Sequence, residues 1–195
     1  MRKYKMPEEH VVSCGDISCE MLINPIPRPK PPPIHVNTTP AKREIVFVDN
    51  NKPNSMTILT GARDILKARG VLVREEIKVK WNASIPLDDD ELEYLTSRGG
   101  IIFCGVSDCG SCSSSSALDS VLLQQRGAAG VAILTRPFGT QVERICTYYE
   151  TDRDIPVVVL EHPMQNLSVE ELHARSFALA NAAQALLESG EKQAA

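Results

Sequence analysis

Two cysteines three positions apart, Cys109 and Cys112, are the residues of this chain best suited to chemistry. They follow an apolar run at 101–106 and precede four consecutive serines at 113–116. An apolar, β-branched run that changes into small polar residues, with apolar residues at helical spacing after it, predicts a strand, a turn and a helix start. At such a place, unpaired backbone N–H groups and the positive end of the helix dipole favour a thiolate. A free cysteine has a pKa near ~8.5, and the first cysteine of such a pair falls to roughly 3.5–7.5.

The spacing of this pair has three interpretations: a redox pair, half of a zinc site, or two small buried residues. The surrounding glycine and serine residues allow close backbone approach and bring several hydrogen-bond donors together, which favours a functional site. In the functional interpretation, Cys109 is the nucleophile, and Cys112, one helical turn later, resolves the adduct by closing a disulfide. An external thiol or a thioredoxin-type reductant must then reset the pair. No other cofactor is firmly implied.

The remaining cysteines leave a metal alternative open. Cys14 and Cys19 could join Cys109 and Cys112 in a four-thiolate zinc site if the N-terminal segment folds over the turn. The same two N-terminal cysteines could equally form a second redox pair. The other two cysteines, at 104 and 146, fall in an apolar strand and a helix-like segment, so we expect them to be packing residues.

The composition is that of one globular domain with its own core, at 195 residues, 43% hydrophobic and 24% charged. A net charge of -4 without a basic stripe argues against nucleic acid, so small substrates or protein partners are expected. No apolar run reaches the roughly 18 residues of a membrane span. The first residues lead into charge rather than into an apolar signal core, so we expect a cytoplasmic protein without a membrane partner. In a reducing compartment, six cysteines indicate thiols or metal ligands rather than a disulfide framework.

The first 43 residues differ from the rest of the chain because seven prolines lie between positions 25 and 40. Proline cannot donate a ladder hydrogen bond, and a polyproline-like segment has no core of its own. We therefore predict an extended arm over 1–43 that forms a homo-oligomer or a hetero-oligomer, with a disordered tail as the alternative. The domain is expected over 44–190, followed by a short tail at 191–195.

Beyond the arm, strand and helix patterns alternate regularly. Strands are predicted at 44–50, 71–80, 101–106, 130–135 and 155–160, and helices at 53–69, 88–97, 114–125, 137–149 and 168–187. This alternation predicts a parallel sheet with helices on both faces and right-handed crossovers. No glycine-rich dinucleotide fingerprint follows the first strand. We therefore expect a flavodoxin-like three-layer α/β sandwich with the strand order 2-1-3-4-5.

In that order, ligands bind at the carboxyl ends of the strands beside the switch point between the first and third strands. This edge is where Cys109 and Cys112 are expected. Asp108 is a candidate acid or base, or else a helix cap. His162 is a candidate proton shuttle, or else a surface histidine. Candidate substrate-binding residues come from the same strand ends and turn: Asp49, Asn50, Asn51, Gly110, Ser111, Ser113, Thr135, Arg136 and Phe138.

Several segments together resemble the UGSC family of selenoproteins and their cysteine homologues over roughly residues 44–188. They are V-S-D-C-G-S-C at 106–112, Asp119, Arg126-Gly127, V-A-I-L-T at 131–135 with Phe138, and P-V-V-V-L at 156–160 with His162-Pro163. The resemblance implies that Cys109 stands where those members carry selenocysteine, and hence that it is a redox or nucleophilic thiol. The thiol segment is also distantly similar to the selenocysteine segment of glycine and proline reductase subunits, which cleave a carbon–nitrogen bond reductively. The chain departs from this resemblance in the arm, where Cys14 and Cys19 have no counterpart, and in the serine run after Cys112.

The sequence therefore predicts a thiol-dependent enzyme that performs reductive cleavage or thiol transfer on a small electrophilic substrate. Two alternatives remain at this point. The chain could be a non-catalytic or site-contributing subunit of a hetero-oligomeric enzyme, or it could be a zinc-stabilised interaction module.

Overall fold

A computed structural model describes residues 33–40 and 42–194 of the chain, in which five strands alternate with five α-helices. The strands are β1 Ile45–Asp49, β2 Lys78–Val79, β3 Ile101–Ser107, β4 Ala129–Thr135 and β5 Val157–Leu160. The helices are α1 Ser55–Ala68, α2 Asp89–Arg98, α3 Gly110–Gln125, α4 Thr140–Tyr149 and α5 Val169–Ala194, and a 3-10 turn, Arg136–Phe138, follows β4. All strands are parallel in the order β2-β1-β3-β4-β5. The predicted three-layer α/β fold and its strand order are confirmed.

Alternate residues of each central strand face opposite helical layers. In β1, Ile45 and Phe47 pack in a cluster with α1 and α5, whereas Val46 and Val48 pack in a cluster with α2 and α3. A third cluster joins α3 and α4 to β4. Every residue of β3 is buried. Burial on both faces explains the continuous apolar runs that identified these strands in the sequence.

Strand β2 is much shorter than the predicted strand at 71–80. Val73 forms an isolated bridge with Ile45, and pairing resumes only where Lys78 lies opposite Val48. Between these two pairings the β2 segment advances by five residues while β1 advances by three, so two surplus residues leave the ladder. The prediction of a continuous strand was wrong because apolar patterning carries no information about this change of register.

Helix α3 begins at Gly110, four residues before its predicted start at 114. Its first turn closes through a hydrogen bond from the Ser113 N–H to the Cys109 carbonyl oxygen. The serine run therefore lies inside the helix, and Cys112 lies in its first turn. Serine is an average helix former, and the local pattern indicated a turn because hydroxyl groups also favour turns.

Helix α3 lies close against β4 at Gly130. A Cβ atom added at Gly130 would collide with the backbone oxygen of Ser120. Only glycine allows this approach. The contact fixes the distance of α3 from the sheet and, with it, the position of the cysteines at the start of the helix.

Residues 33–40 pack on the domain, ahead of its predicted start at 44. Ile34 and Val36 are buried in the cluster that joins α3 and α4 to β4. Asn37 N–H donates to Gln124 Oε1 at 2.6 Å, which ties this segment to α3. Residues 1–32 lie outside the described residues, so the role predicted for the arm and the thiols of Cys14 and Cys19 lie outside them too.

Where the structure describes the chain, none of its helices has the length and apolar character needed to cross a membrane. The last helix, α5, continues through residues 191–194, which the sequence had assigned to a tail.

Candidate functional site

Cys109 and Cys112 are joined by a disulfide at the start of α3, with their Cα atoms 5.5 Å apart. That separation lies within the usual range for disulfides. Cys109 is half-buried at the N-cap, whereas Cys112 is only 3% exposed. The unequal exposure gives an attacking group from solvent better access to Cys109 than to Cys112.

Cys109 lies beside hydrogen-bond donors at the start of α3. Its backbone is extended, with φ -146° and ψ 165°, so the N–H groups of the first helical turn follow directly after it. The sulfur lies 3.7 Å from the hydroxyl of Ser111, which is an additional hydrogen-bond donor. A thiolate at this N-cap therefore gains from the helix dipole and from one side-chain hydroxyl.

Ser107, the last residue of β3, connects the elements beneath the disulfide. Its Oγ donates to the Cys112 carbonyl oxygen at 3.2 Å and accepts from Asn50 Nδ2 at 2.8 Å. The same oxygen lies 2.9 Å from the hydroxyl of Ser116. Ser107, Asn50 and Ser116 are fully buried. This network ties the end of β1, the end of β3 and the start of α3 together, as the predicted switch point requires.

A serine that the sequence did not single out also contacts the site. Ser84, in the loop between β2 and α2, donates from its Oγ to Ser111 Oγ at 3.1 Å. Its Oγ also lies 4.0 Å from Cys112 Sγ. The loop carries no motif, and its contact with α3 spans 28 positions of sequence, so no local signal could have identified it.

Both ends of the same loop, Lys80 and Leu87, bind one buried carboxylate, that of Asp119. Lys80 Nζ donates to Asp119 Oδ2 at 2.5 Å and to Ser115 Oγ at 2.8 Å. The Leu87 N–H donates to Asp119 Oδ1 at 2.7 Å. Lys80 is 2% exposed and Asp119 is 0% exposed. Burial raises the pKa of Asp119, while the Lys80 charge and its hydrogen bond lower it. A buried pair of this kind is favourable only because its hydrogen bonds are satisfied.

Two carboxylates occupy the ends of β1 and β3. Asp108 is 9% exposed; its Oδ1 lies 3.5 Å from Lys52 Nζ and accepts no hydrogen bond from the described residues. The prediction that Asp108 caps the helix is wrong, because α3 starts at Gly110 and Cys109 is therefore the N-cap. Burial raises the pKa of Asp49. Hydrogen bonds from Ser55 and from the backbone N–H of Asn51 lower it, but by less, so the net shift is upward.

The other predicted strand-end residues form a separate group at the ends of β4 and β5. His162 Nδ1 lies 3.2 Å from the buried Thr135 hydroxyl, and the Phe138 ring meets the imidazole edge-on at 5.9 Å between centroids. Arg136 is exposed and pairs with Glu161 at 2.7 Å. In the described part of the chain, these contacts join β4 to β5 and do not extend to the cysteine pair. The structure therefore divides the predicted site residues into two groups.

The remaining candidate residues differ in accessibility. Asn51 is exposed with a left-handed φ of 53°, and the space beside Gly110 is open. Ser113, by contrast, is fully buried, and its Oγ has no hydrogen-bond partner among the described residues. The Asn50 side chain is also fully buried, and within the described residues its Oδ1 lacks a partner.

A functional site could also be a metal site, or a cavity away from the cysteine pair. Residues 33–40 and 42–194 contain no group of three or more His, Cys, Asp or Glu side chains placed to hold a metal ion. The zinc alternative depends on Cys14 and Cys19, which lie outside these residues. A cavity of about 420 Å³ at the end of α4 shares no residue with the disulfide site; it is lined by Cys146, Thr147, Glu150, Thr151, Arg153 and Asp154.

Cys104 and Cys146 are free, buried thiols. Burial, with the nearby Asp119 charge as a second cause, raises the pKa of Cys104 far above its ordinary value. We expect Cys104→Ser to lower the free energy of unfolding by about 1–3 kcal/mol, because a hydroxyl enters an apolar cluster. Urea unfolding of the reduced protein measures this change. In Cys104→Ser, the Cys109–Cys112 disulfide should be reduced at the wild-type rate. If this variant kept wild-type stability but its disulfide were reduced more slowly, Cys104 would not be a packing residue.

A family model described as the UGSC family matches residues 22–189. The matched range contains all five strands and both cysteines of the disulfide, whereas Cys14 and Cys19 precede it. No curated protein and no solved structure matches the chain.

Proposed function

Because the chain belongs to the UGSC family, as the resemblance of its D-C-G-S-C segment predicted, we propose that it is a thiol-dependent oxidoreductase. Its working groups are Cys109 and Cys112, which alternate between dithiol and disulfide. The observation that carries the proposal is the pairing of these two sulfurs at the N-terminus of α3, with one residue half-buried and the other buried. A more accessible nucleophile beside a protected resolving thiol is the arrangement that thiol–disulfide exchange requires.

In the proposed cycle, the Cys109 thiolate attacks the electrophilic atom of a small substrate and displaces a leaving group, which takes up a proton. Cys112 then loses its proton and attacks Cys109 Sγ, so the bond between Cys109 and the adduct breaks while the disulfide forms. The electron pair of the broken bond leaves with the product, which takes up the second proton. The two thiols are thereby oxidised by two electrons, and the substrate is reduced by two. An external thiol or thioredoxin-type reductant regenerates the dithiol.

The strand ends supply groups that can move a proton in this cycle. Asp49, the substrate-binding candidate at the end of β1, is a buried carboxyl whose pKa is raised by burial. Asp108 precedes the nucleophile and is held near Lys52, which suits it to orient the turn or to act as a base. His162, the candidate proton shuttle, lies beside Thr135 and Phe138 at the ends of β4 and β5, and we propose that it serves the part of a substrate that extends toward β5.

Assembly and location extend this proposal. The proline-rich composition of the first 32 residues supports a role for them in joining the chain to a second copy or to a different subunit. Action in the cytoplasm is part of the proposal, since a reducing compartment would return the cysteine pair to its dithiol form. Substrates are proposed to be small electrophilic molecules rather than nucleic acids.

Mild oxidation of the reduced protein tests the proposed pairing. We expect it to remove two thiols and to link Cys109 to Cys112, because the fold already holds both residues at disulfide-bonding separation. Peptide mapping by mass identifies the linked residues, and the buried thiols of Cys104 and Cys146 serve as internal controls that stay free. Recovery of Cys109 and Cys112 as free thiols after oxidation would refute the redox pair.

A further inference from the structure

The loop at residues 80–87 is fixed along α3 by its two ends. Lys80 enters it with a side chain bound to Asp119 and Ser115, and Leu87 leaves it with a backbone N–H bound to the same Asp119 carboxylate. The backbone N–H of Lys80 also donates to the Asp49 carbonyl oxygen at 2.9 Å. All of these anchors are buried, so the loop cannot leave α3 without breaking a desolvated ion pair.

Between its two anchors, this loop delivers one hydroxyl to the first turn of α3. Ser84 Oγ lies 3.1 Å from Ser111 Oγ and 4.0 Å from Cys112 Sγ. Ser84 itself is exposed, whereas Cys112 is almost completely buried. A buried thiolate needs a nearby donor, since desolvation disfavours its charge.

We propose that Ser84 is a further catalytic residue of the cysteine pair, and that Lys80 and Asp119 are the residues that position it. This inference rests on the proposed function, because it requires that the pair exchanges electrons. A thiolate is a strong hydrogen-bond acceptor and a disulfide sulfur is a weak one. The hydroxyl of Ser84 turns from Ser111 toward Cys112 when the disulfide opens. It thereby stabilises the thiolate that must attack Cys109 Sγ in the resolving step.

A donor that binds the thiolate more strongly than the disulfide sulfur shifts the redox equilibrium toward the dithiol. Loss of this hydrogen bond in Ser84→Ala is expected to favour the disulfide by about threefold to tenfold in the equilibrium constant with glutathione. This change corresponds to a reduction potential about 15–30 mV lower, since a tenfold change equals about 30 mV for two electrons. Ser84→Thr keeps the hydroxyl and is expected to stay within about twofold of wild type.

The test equilibrates the full-length protein in glutathione buffers of graded ratio, and alkylation followed by peptide mass gives the oxidised fraction of the pair. Ser97→Ala is the matched control, because Ser97 is also exposed and its hydroxyl donates to the Tyr94 carbonyl oxygen on α2, away from the cysteine pair. If the wild-type pair does not exchange with glutathione, the proposed function fails. If the pair exchanges but Ser84→Ala stays within twofold of wild type, this inference fails and the proposed function stands.

A double-mutant cycle tests the positioning residues. The paired change Lys80→Met with Asp119→Asn removes both charges together, so that no buried charge is left unpaired. In that background, adding Ser84→Ala is expected to change the equilibrium by less than twofold. If Ser84→Ala still shifted the equilibrium constant with glutathione by about threefold to tenfold in that background, Lys80 and Asp119 would not be the residues that position Ser84. Ser115→Ala is a milder variant that removes one hydrogen bond of Lys80, and it is expected to shift the equilibrium in the same direction as Ser84→Ala.

Trp81 gives a readout of the loop that does not depend on activity. It is the single tryptophan of the chain, it lies in the loop and it is 72% exposed. Release of the anchors in the Lys80→Met, Asp119→Asn protein is expected to lower the fluorescence anisotropy of Trp81, with helix content by circular dichroism unchanged. An unchanged anisotropy would show that the two residues do not hold the loop.

Discussion

The variant Cys109→Ser is expected to exchange with a small aromatic disulfide about a thousandfold or more slowly than the wild-type pair. A serine hydroxyl has nearly the volume of the thiol, but it scarcely ionises near neutral pH, so the helix N-terminus has no thiolate to stabilise. The free energy of unfolding, compared with that of the reduced wild-type protein, should change little because Cys109 is only half-buried. Stopped-flow absorbance follows the exchange, and peptide mass identifies the residue that reacts.

Cys112→Ser is the matched control for this experiment. It keeps the nucleophile and removes the resolving thiol, so the reaction is expected to stop at a mixed disulfide on Cys109. The adduct is read as an added mass on the peptide that contains this residue. If Cys109→Ser instead mainly lowered stability while folded protein kept its exchange rate, the D-C-G-S-C turn would be a structural element.

The second large effect is expected at the buried ion pair. Lys80→Met should lower the free energy of unfolding by about 3–5 kcal/mol, because it leaves the Asp119 carboxylate buried without its cation. Lys67→Met is the matched control, since Lys67 pairs with Glu75 at the same 2.5 Å distance on the exposed surface. A surface pair contributes little to stability, so this variant is expected to unfold close to wild type. Urea unfolding of both variants measures the contrast.

The effect of Lys80→Met is expected to depend on pH. Burial already raises the pKa of Asp119 in the folded protein, and removal of the lysine removes the influence that opposes this shift. A carboxyl whose folded pKa lies above its unfolded value loses stability as the pH rises through the folded pKa. The variant should therefore be closer to wild type at pH 5 than at pH 8. Equal destabilisation at both values would mean that the carboxylate finds another partner.

The sheet order could be predicted because each step of the argument is local. Apolar runs of strand length alternate with helical stripes ended by glycine, and right-handed crossovers leave few ways to order five parallel strands. The cysteine pair could be placed because a buried strand that changes into small polar residues marks the carboxyl edge of a sheet. The start of α3 and the extent of β2 could not be predicted in this way. The first depends on the burial of the serine run and the second on a shift of register, and both are set by residues distant in sequence.

The surroundings of the cysteine pair could be predicted only in part. Asn50 was expected at the same edge as the cysteines and does bind Ser107 beneath them. His162 was expected there too, but its contacts are with Thr135 and Phe138 at the next strand ends. The bonds of the loop at 80–87 to Ser115 and Asp119 join residues 32 to 39 positions apart, so periodicity and local spacing could not reveal them.

Alkylation of the reduced full-length protein with iodoacetamide at graded pH tests the central claim most directly, namely that Cys109 is a nucleophilic thiolate beside a protected partner. Peptide mass gives the labelled fraction of every cysteine at each pH. We predict that Cys109 is labelled first, with a midpoint well below the pH of about 8.5 at which a free cysteine titrates, and that the buried Cys112 is labelled much more slowly. Labelling of Cys109 only at or above that value, at the same rate as Cys112, would contradict the account.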